Sequence, residues 1–184
     1  MMKKMRNVCV VVIALMMAMS SSTFADANYC GTSTPVYMFY SPFMDDYFLT
    51  ASETERSSLE WEYRNGTQTY EYSGILGWAE AYVTDTNVPV YRFWNQNTTD
   101  HFYTSSYEEK IQTEENYNSG RDGYKYEGVA FYVPAYGYSP VYRFFNTVTF
   151  SHVYITDASV RDSLISDYQC GYSSWRYEGV AWYF

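Results

Sequence analysis

A mainly β fold with short helices, built from three pseudo-symmetric repeats that close in a β-trefoil-like assembly, is what this 184-residue chain predicts. Three observations predict it. Three sequence blocks recur in the same order. Each block alternates bulky apolar and polar residues, the period of a strand. A unit of this size cannot bury its own aromatic face, so three units must share one core. A linear stack of three units is the alternative arrangement.

The first block is Pro35-Val36-Tyr37-Met38-Phe39, then Pro89-Val90-Tyr91-Arg92-Phe93, then Pro140-Val141-Tyr142-Arg143-Phe144. Proline suits the first residue of a strand, where no ladder N–H is needed. The second block is Tyr47-Phe48-Leu49-Thr50, His101-Phe102-Tyr103-Thr104 and His152-Val153-Tyr154-Ile155. A polar connection such as 95–100 (Asn-Gln-Asn-Thr-Thr-Asp) joins the two as a hairpin. Short helices are predicted next. Ser52 and Glu55 have capping-box spacing, Ser105 and Glu108 repeat it, and Asp157 or Ser159 would cap the third. The last block is Tyr72-Ser73-Gly74-Ile75, Tyr126-Glu127-Gly128-Val129 and Tyr177-Glu178-Gly179-Val180. The repeats therefore span about 35–83, 89–133 and 140–184.

These blocks resemble a secreted, tyrosine-rich repeat family of unknown function whose units read Pro-Val-Tyr-Arg-Phe, Asp-His-Phe-Tyr-Thr and Tyr-Glu-Gly-Val-Ala-Phe-Tyr-Val. The second unit fits closely, the third well, and the first is degenerate. The resemblance implies export and an accessory binding role, and it carries no established active site.

Residues 1–25 read as a signal peptide. Lys3, Lys4 and Arg6 precede an apolar stretch from Val8 to Met19, with cleavage after Ala25 or Ala27. That stretch is too short to span a bilayer, and no transmembrane segment is expected. The mature chain, 26–184, is then one domain located outside the cell or in the periplasm. Its cysteines, Cys30 and Cys170, are expected to form one disulfide.

Acidic residues outnumber Lys and Arg, 21 against 12, for a net charge of −9. This excludes a basic nucleic-acid footprint. Aromatics make up 21% of the chain, with 23 Tyr. Flat rings beside polar side chains suit sugar recognition, and most of them must also build the core. Four polar positions vary together. Units two and three carry Arg92 and Arg143, Asn95 and Asn146, His101 and His152, Glu127 and Glu178, where unit one has Met38, Ser41, Tyr47 and Ser73. They form either a buried Arg–Glu network completed by Asn and His, or a ligand pocket present twice and lost once. Asp100 and the hairpin-flanking Trp94 and Phe145 join the candidates, with Tyr136 and Tyr138 in the linker between units. Asp100 and His101 are adjacent, so on a strand they face opposite ways and cannot pair with each other. No catalytic constellation, metal-binding spacing or cofactor motif is present. The functional expectation is a secreted, non-catalytic module that binds carbohydrate or another extracellular component. The alternatives are a structural or protein-interaction module of the envelope or matrix, and a small hydrolase.

Overall fold

The computed structural model describes residues 33–184. The segment expected to be a signal peptide and Cys30 lie outside the described residues, and so does the disulfide expected between Cys30 and Cys170. Each repeat is strand, strand, helix, strand. The first holds β1 (Ser33–Ser41), β2 (Asp46–Thr50), α1 (Glu53–Arg64) and β3 (Glu71–Glu80). The second holds β4 (Asn87–Asn95), β5 (Asp100–Thr104), α2 (Tyr107–Asn118) and β6 (Tyr124–Pro134). The third holds β7 (Pro140–Asn146), β8 (His152–Ile155), α3 (Ala158–Gln169) and β9 (Trp175–Tyr183).

The fold is mainly β, with three separate three-stranded antiparallel sheets ordered β2-β1-β3, β5-β4-β6 and β8-β7-β9. Among the described residues no closed barrel forms, because the sheets share no backbone ladder. In each sheet the strand carrying the proline block is central; β7 opens at Pro140 as expected, whereas β1 and β4 start two residues before Pro35 and Pro89. Its pairing with the last strand shifts register twice, at Val36/Tyr37 and Met38/Phe39 in the first repeat and at the equivalent steps in the others. Gly74, Gly128 and Gly179 sit at these bulges with φ of 130°, 127° and 113°, a region that side chains with a Cβ rarely adopt.

The helices start where an oxygen side chain can accept from the first free N–H groups. Ser52 accepts from Glu55 N–H at 3.2 Å, and Asp157 accepts from Val160 N–H at 3.0 Å. The second cap lies one residue later than the sequence spacing predicts. Ser106 accepts from Glu109 N–H at 3.2 Å, while Ser105 Oγ donates to Ala181 O at 2.7 Å. Tertiary contact with β9 decides between the two serines. The helices bury little, with no buried residue in α1 and only Thr113 in α2. They hold their place through contacts with their own sheets and the neighbouring repeat.

The middle strands depart from simple alternation. Every residue of β5 and β8 is buried, including Asp100, His101, Thr104 and His152. β2, β5 and β8 touch one another in all three pairings, so these strands are covered on both faces. The core spans the repeats: Val36, Leu49, Val90, Tyr103, Val141, Tyr154 and Trp182 belong to one buried cluster. Burying polar groups there demands partners for them.

Candidate functional site

Those partners come from the neighbouring repeat. At the first interface Asp46 Oδ1 accepts from the His101 backbone N–H at 2.7 Å, and Oδ2 lies 2.6 Å from His101 Nδ1. The Tyr70 hydroxyl donates to the same carboxylate. Arg92 reaches in two directions. Its Nε donates to Glu127 Oε2 at 2.9 Å, and its terminal nitrogens grip Glu55 of α1 at 3.1 and 3.2 Å. Its guanidinium also stacks over Phe48, 4.7 Å from the ring centre. His101 Nε2 lies 3.7 Å from Glu127.

The second interface repeats the design. Asp100 accepts from the His152 backbone N–H at 2.7 Å, from the Tyr124 hydroxyl at 2.6 Å, and faces His152 Nδ1 at 2.6 Å. Arg143 Nε donates to Glu178 at 2.9 Å, and its terminal nitrogens bind Glu109 of α2 at 2.8 and 3.0 Å. Arg143 lies over Phe102 at 4.8 Å. His152 Nε2 is 3.6 Å from Glu178. At both interfaces the later repeat supplies Arg, His and strand Glu, and the earlier repeat supplies Asp, Tyr and helix Glu. A tyrosine adds a further link: Tyr103 OH accepts from Leu49 N–H at 2.8 Å, and Tyr154 OH accepts from Tyr103 N–H at 2.7 Å.

At the equivalent positions of repeats three and one the set is gone as a whole. Ser151 stands for the Asp, Trp175 for the Tyr and Val160 for the helix Glu. Met38, Tyr47 and Ser73 stand for the Arg, His and strand Glu. Met38, Tyr47, Val160 and Trp175 are buried in the core cluster. Each exchange removes a charge together with its counter-charge, so no ion is left stranded in the core.

The electrostatics follow the contacts. Burial pushes the Glu178 carboxyl up, but His152 and Arg143 outweigh it and hold it down at about 2. Burial also raises Glu55 and Glu109, and Arg92 and Arg143 reverse that to a net lowering. Burial disfavours the His152 imidazolium, yet Asp100 and Glu178 raise its pKa above the usual histidine value. Burial and the adjacent Asp100 raise the Tyr124 hydroxyl, so it stays protonated as a donor.

An Asp–His pair suggests acid–base chemistry, but both histidines are buried and Nε2 of each faces a carboxylate. A general base needs a free nitrogen within reach of a substrate proton. Among the described residues no group of three or more His, Cys, Asp or Glu could hold a metal. These networks fasten one repeat to the next.

A comparison with protein families places residues 18–119 and 110–184 in the family described as a domain of unknown function (DUF5648). The chain belongs to that family. Searches of curated proteins and of solved structures gave no match.

Arg92, His101, Glu127, Arg143, His152, Glu178 and Asp100 thus come together, split between two interfaces. One expectation changes. Asn95 and Asn146 do not complete the Arg–Glu networks: Asn95 Oδ1 accepts from Asn97 N–H at 3.0 Å, and Asn146 Oδ1 from Val148 N–H at 3.0 Å. They shape the hairpin turns, an ordinary use of Asn. Trp94 and Phe145 are half-buried, their rings 4.5 Å from His101 and 5.1 Å from His152. Tyr136 and Tyr138 are exposed. Cys170 caps the end of α3 and is exposed.

Comparing whole repeats missed Asp46, Tyr70, Glu55, Glu109 and Tyr124. Pairing each repeat with its successor exposes them. It also missed a set kept in all three units: Tyr37 and Tyr72 with Arg56, Tyr91 and Tyr126 with Lys110, and Tyr142 and Tyr177 with Arg161. The ring pairs are 6.4, 6.2 and 6.3 Å apart at 59°, 61° and 57°. Each cation comes from a helix and lies over a ring at 5.0, 4.9 and 4.6 Å. These clusters pin each helix to its own sheet.

Proposed function

We propose that this chain is a secreted, non-catalytic binding module that recognises carbohydrate. One observation carries the reading. The charged groups at the buried interfaces are engaged by other groups of the same chain, while large rings such as Phe43, Phe150, Trp61 and Tyr136 stand exposed. Apolar ring faces take up sugar C–H groups in water, and polar neighbours read the hydroxyls. The tyrosine content and the apolar leader-like N-terminus support membership of an exported, tyrosine-rich group within the family. No described helix is long and apolar enough to cross a membrane.

The same reading takes the repeats as closing around a shared axis in a β-trefoil-like manner. The mutual contacts of β2, β5 and β8 support it. A hydrogen bond from Ser151 Oγ to Asp45 Oδ2 at 3.1 Å, linking the last repeat to the first, also supports it.

A glycan array probed with the oxidised mature protein tests the function. Selective binding to one glycan class is expected, and it should persist in His152→Ala under conditions where that variant remains folded. A blank array sinks the carbohydrate reading in favour of a protein-interaction module.

A further inference from the structure

The three hairpin turns, 41–46, 95–100 and 146–151, meet at one end of the molecule. Thr99 Oγ1 donates to Met44 O at 3.3 Å, and Ser151 Oγ donates to Asp45 Oδ2 at 3.1 Å. The first turn therefore touches both of the others. We propose that this hairpin end is the carbohydrate-binding face and that it takes neutral sugars. The proposal rests on the binding reading above and names its site and ligand class.

Three apolar side chains stand out from this end: Phe43 is 86% exposed, Val148 54% and Phe150 52%. Phe150 is the most telling. Asp45, Thr99 and Phe150 occupy the same place in their turns, with φ of 55°, 55° and 62°. Asp and Thr show that the turn itself does not require an aromatic. A bulky residue in the left-handed region is an outlier that such turns normally give to Gly, Asn or Asp. Here the strained position presents a ring at the surface, edge-on to Phe145 at 6.2 Å.

The second and third turns also expose Gln96, Asn97, Thr147 and Thr149, neutral donors and acceptors suited to sugar hydroxyls. Charge selects the ligand further. None of the three turns contains Lys or Arg. Of the aspartates in these turns, Asp46 and Asp100 are buried against His101 and His152, and Asp45 is held by Tyr40 and Ser151. The nearest cations sit on the sheets, Lys125 opposite Trp94 and Arg176 over Phe145 at 5.2 Å, the latter paired with Glu178 at 3.0 Å; the turns themselves offer an anionic sugar no counter-charge, whereas a neutral sugar needs none.

The test is affinity electrophoresis of the full secreted chain through gels holding neutral polysaccharides (a β-glucan, a mannan, glycol chitin) or acidic ones (alginate, heparin). Phe43→Ser, Phe150→Gly and Trp78→Ala are run beside the unaltered protein. Trp78 pairs with Pro35 at the end of β1 remote from the turn, so it controls for exposed aromatics elsewhere. Retardation is expected in at least one neutral gel, lost in Phe43→Ser and Phe150→Gly and kept in Trp78→Ala. Glycine relieves the backbone at 150, so Phe150→Gly should still melt cooperatively at no lower temperature, which separates lost binding from lost folding. Retardation that survives both hairpin substitutions overturns the site and leaves the carbohydrate reading standing. Retardation in the acidic gels alone overturns the ligand class. No retardation in any gel overturns both the inference and the reading beneath it.

Discussion

Replacing Arg143 by Met, the residue found at the matching position of the first repeat, isolates what the interface charges do. Arg143 has only 11% of its side chain exposed and binds Glu178 and Glu109, which are 19% and 35% exposed. Removing the cation leaves Glu109 without its partner in a half-dry interface, beside Glu178, which keeps Arg176 at 3.0 Å and His152 at 3.6 Å. Stranding a buried charge costs about 3–5 kcal/mol. Because Glu109 keeps partial access to water, the lower end applies, about 3 kcal/mol. The triple variant Arg143→Met/Glu109→Val/Glu178→Ser makes three of the six exchanges found between repeats three and one. It removes the cation together with the two carboxylates it binds and should return to within about 1 kcal/mol of the unaltered protein. Urea unfolding at neutral pH measures both, and an unchanged slope identifies a pure stability effect. A triple variant as unstable as the single one would refute the reasoning. So would an Arg143→Met cost under about 1 kcal/mol.

Further outcomes follow from the same contacts. His152 has a raised folded pKa, so its stabilisation is full below about 6.5 and is lost as pH rises through the folded value. Urea midpoints above neutrality should fall more steeply for the unaltered protein than for His152→Gln; equal slopes would remove His152 as the cause. Glu178 titrates at about 2, so its contribution is full above the usual glutamate range and disappears as pH falls toward 2. Acid unfolding of Glu178→Gln should show a weaker dependence across that range. Tyr154→Phe deletes the hydroxyl that accepts from Tyr103 N–H at 2.7 Å and donates to Tyr103 O at 3.0 Å. It should cost about 1–3 kcal/mol and speed hydrogen exchange at the Tyr103 amide, whereas unchanged exchange there would contradict the bridge. Gly128→Ala meets no neighbouring atom but sits at φ +127°. It should lower stability by about 1–3 kcal/mol through backbone strain alone, and a neutral result in thermal melts would show that the bulge can relax.

The sequence by itself determined the repeats and the local structure within them. The strand blocks are legible because alternating bulky residues can satisfy only a pleated, half-buried backbone. The helix starts are legible because Ser52 and Asp157 must lie within reach of their own N–H groups. The co-loss of Arg, His and Glu from the first repeat is also visible and suggests a buried Arg–Glu network, but not the partners that complete it. Each network joins residues far apart in the chain, such as Asp46 with His101, so a comparison of repeats one at a time sees only half of each set. The other half is lost from the third repeat, where Ser151, Val160 and Trp175 stand. Tertiary structure decided which halves meet, because burying β5 and β8 on both faces leaves His101 and His152 to find an Asp on the preceding repeat. It also decided that Asn95 and Asn146 serve the turns, and that those turns gather Phe43, Val148 and Phe150 at one end. No local pattern encodes that meeting, since it depends on how three separate sheets pack against one another.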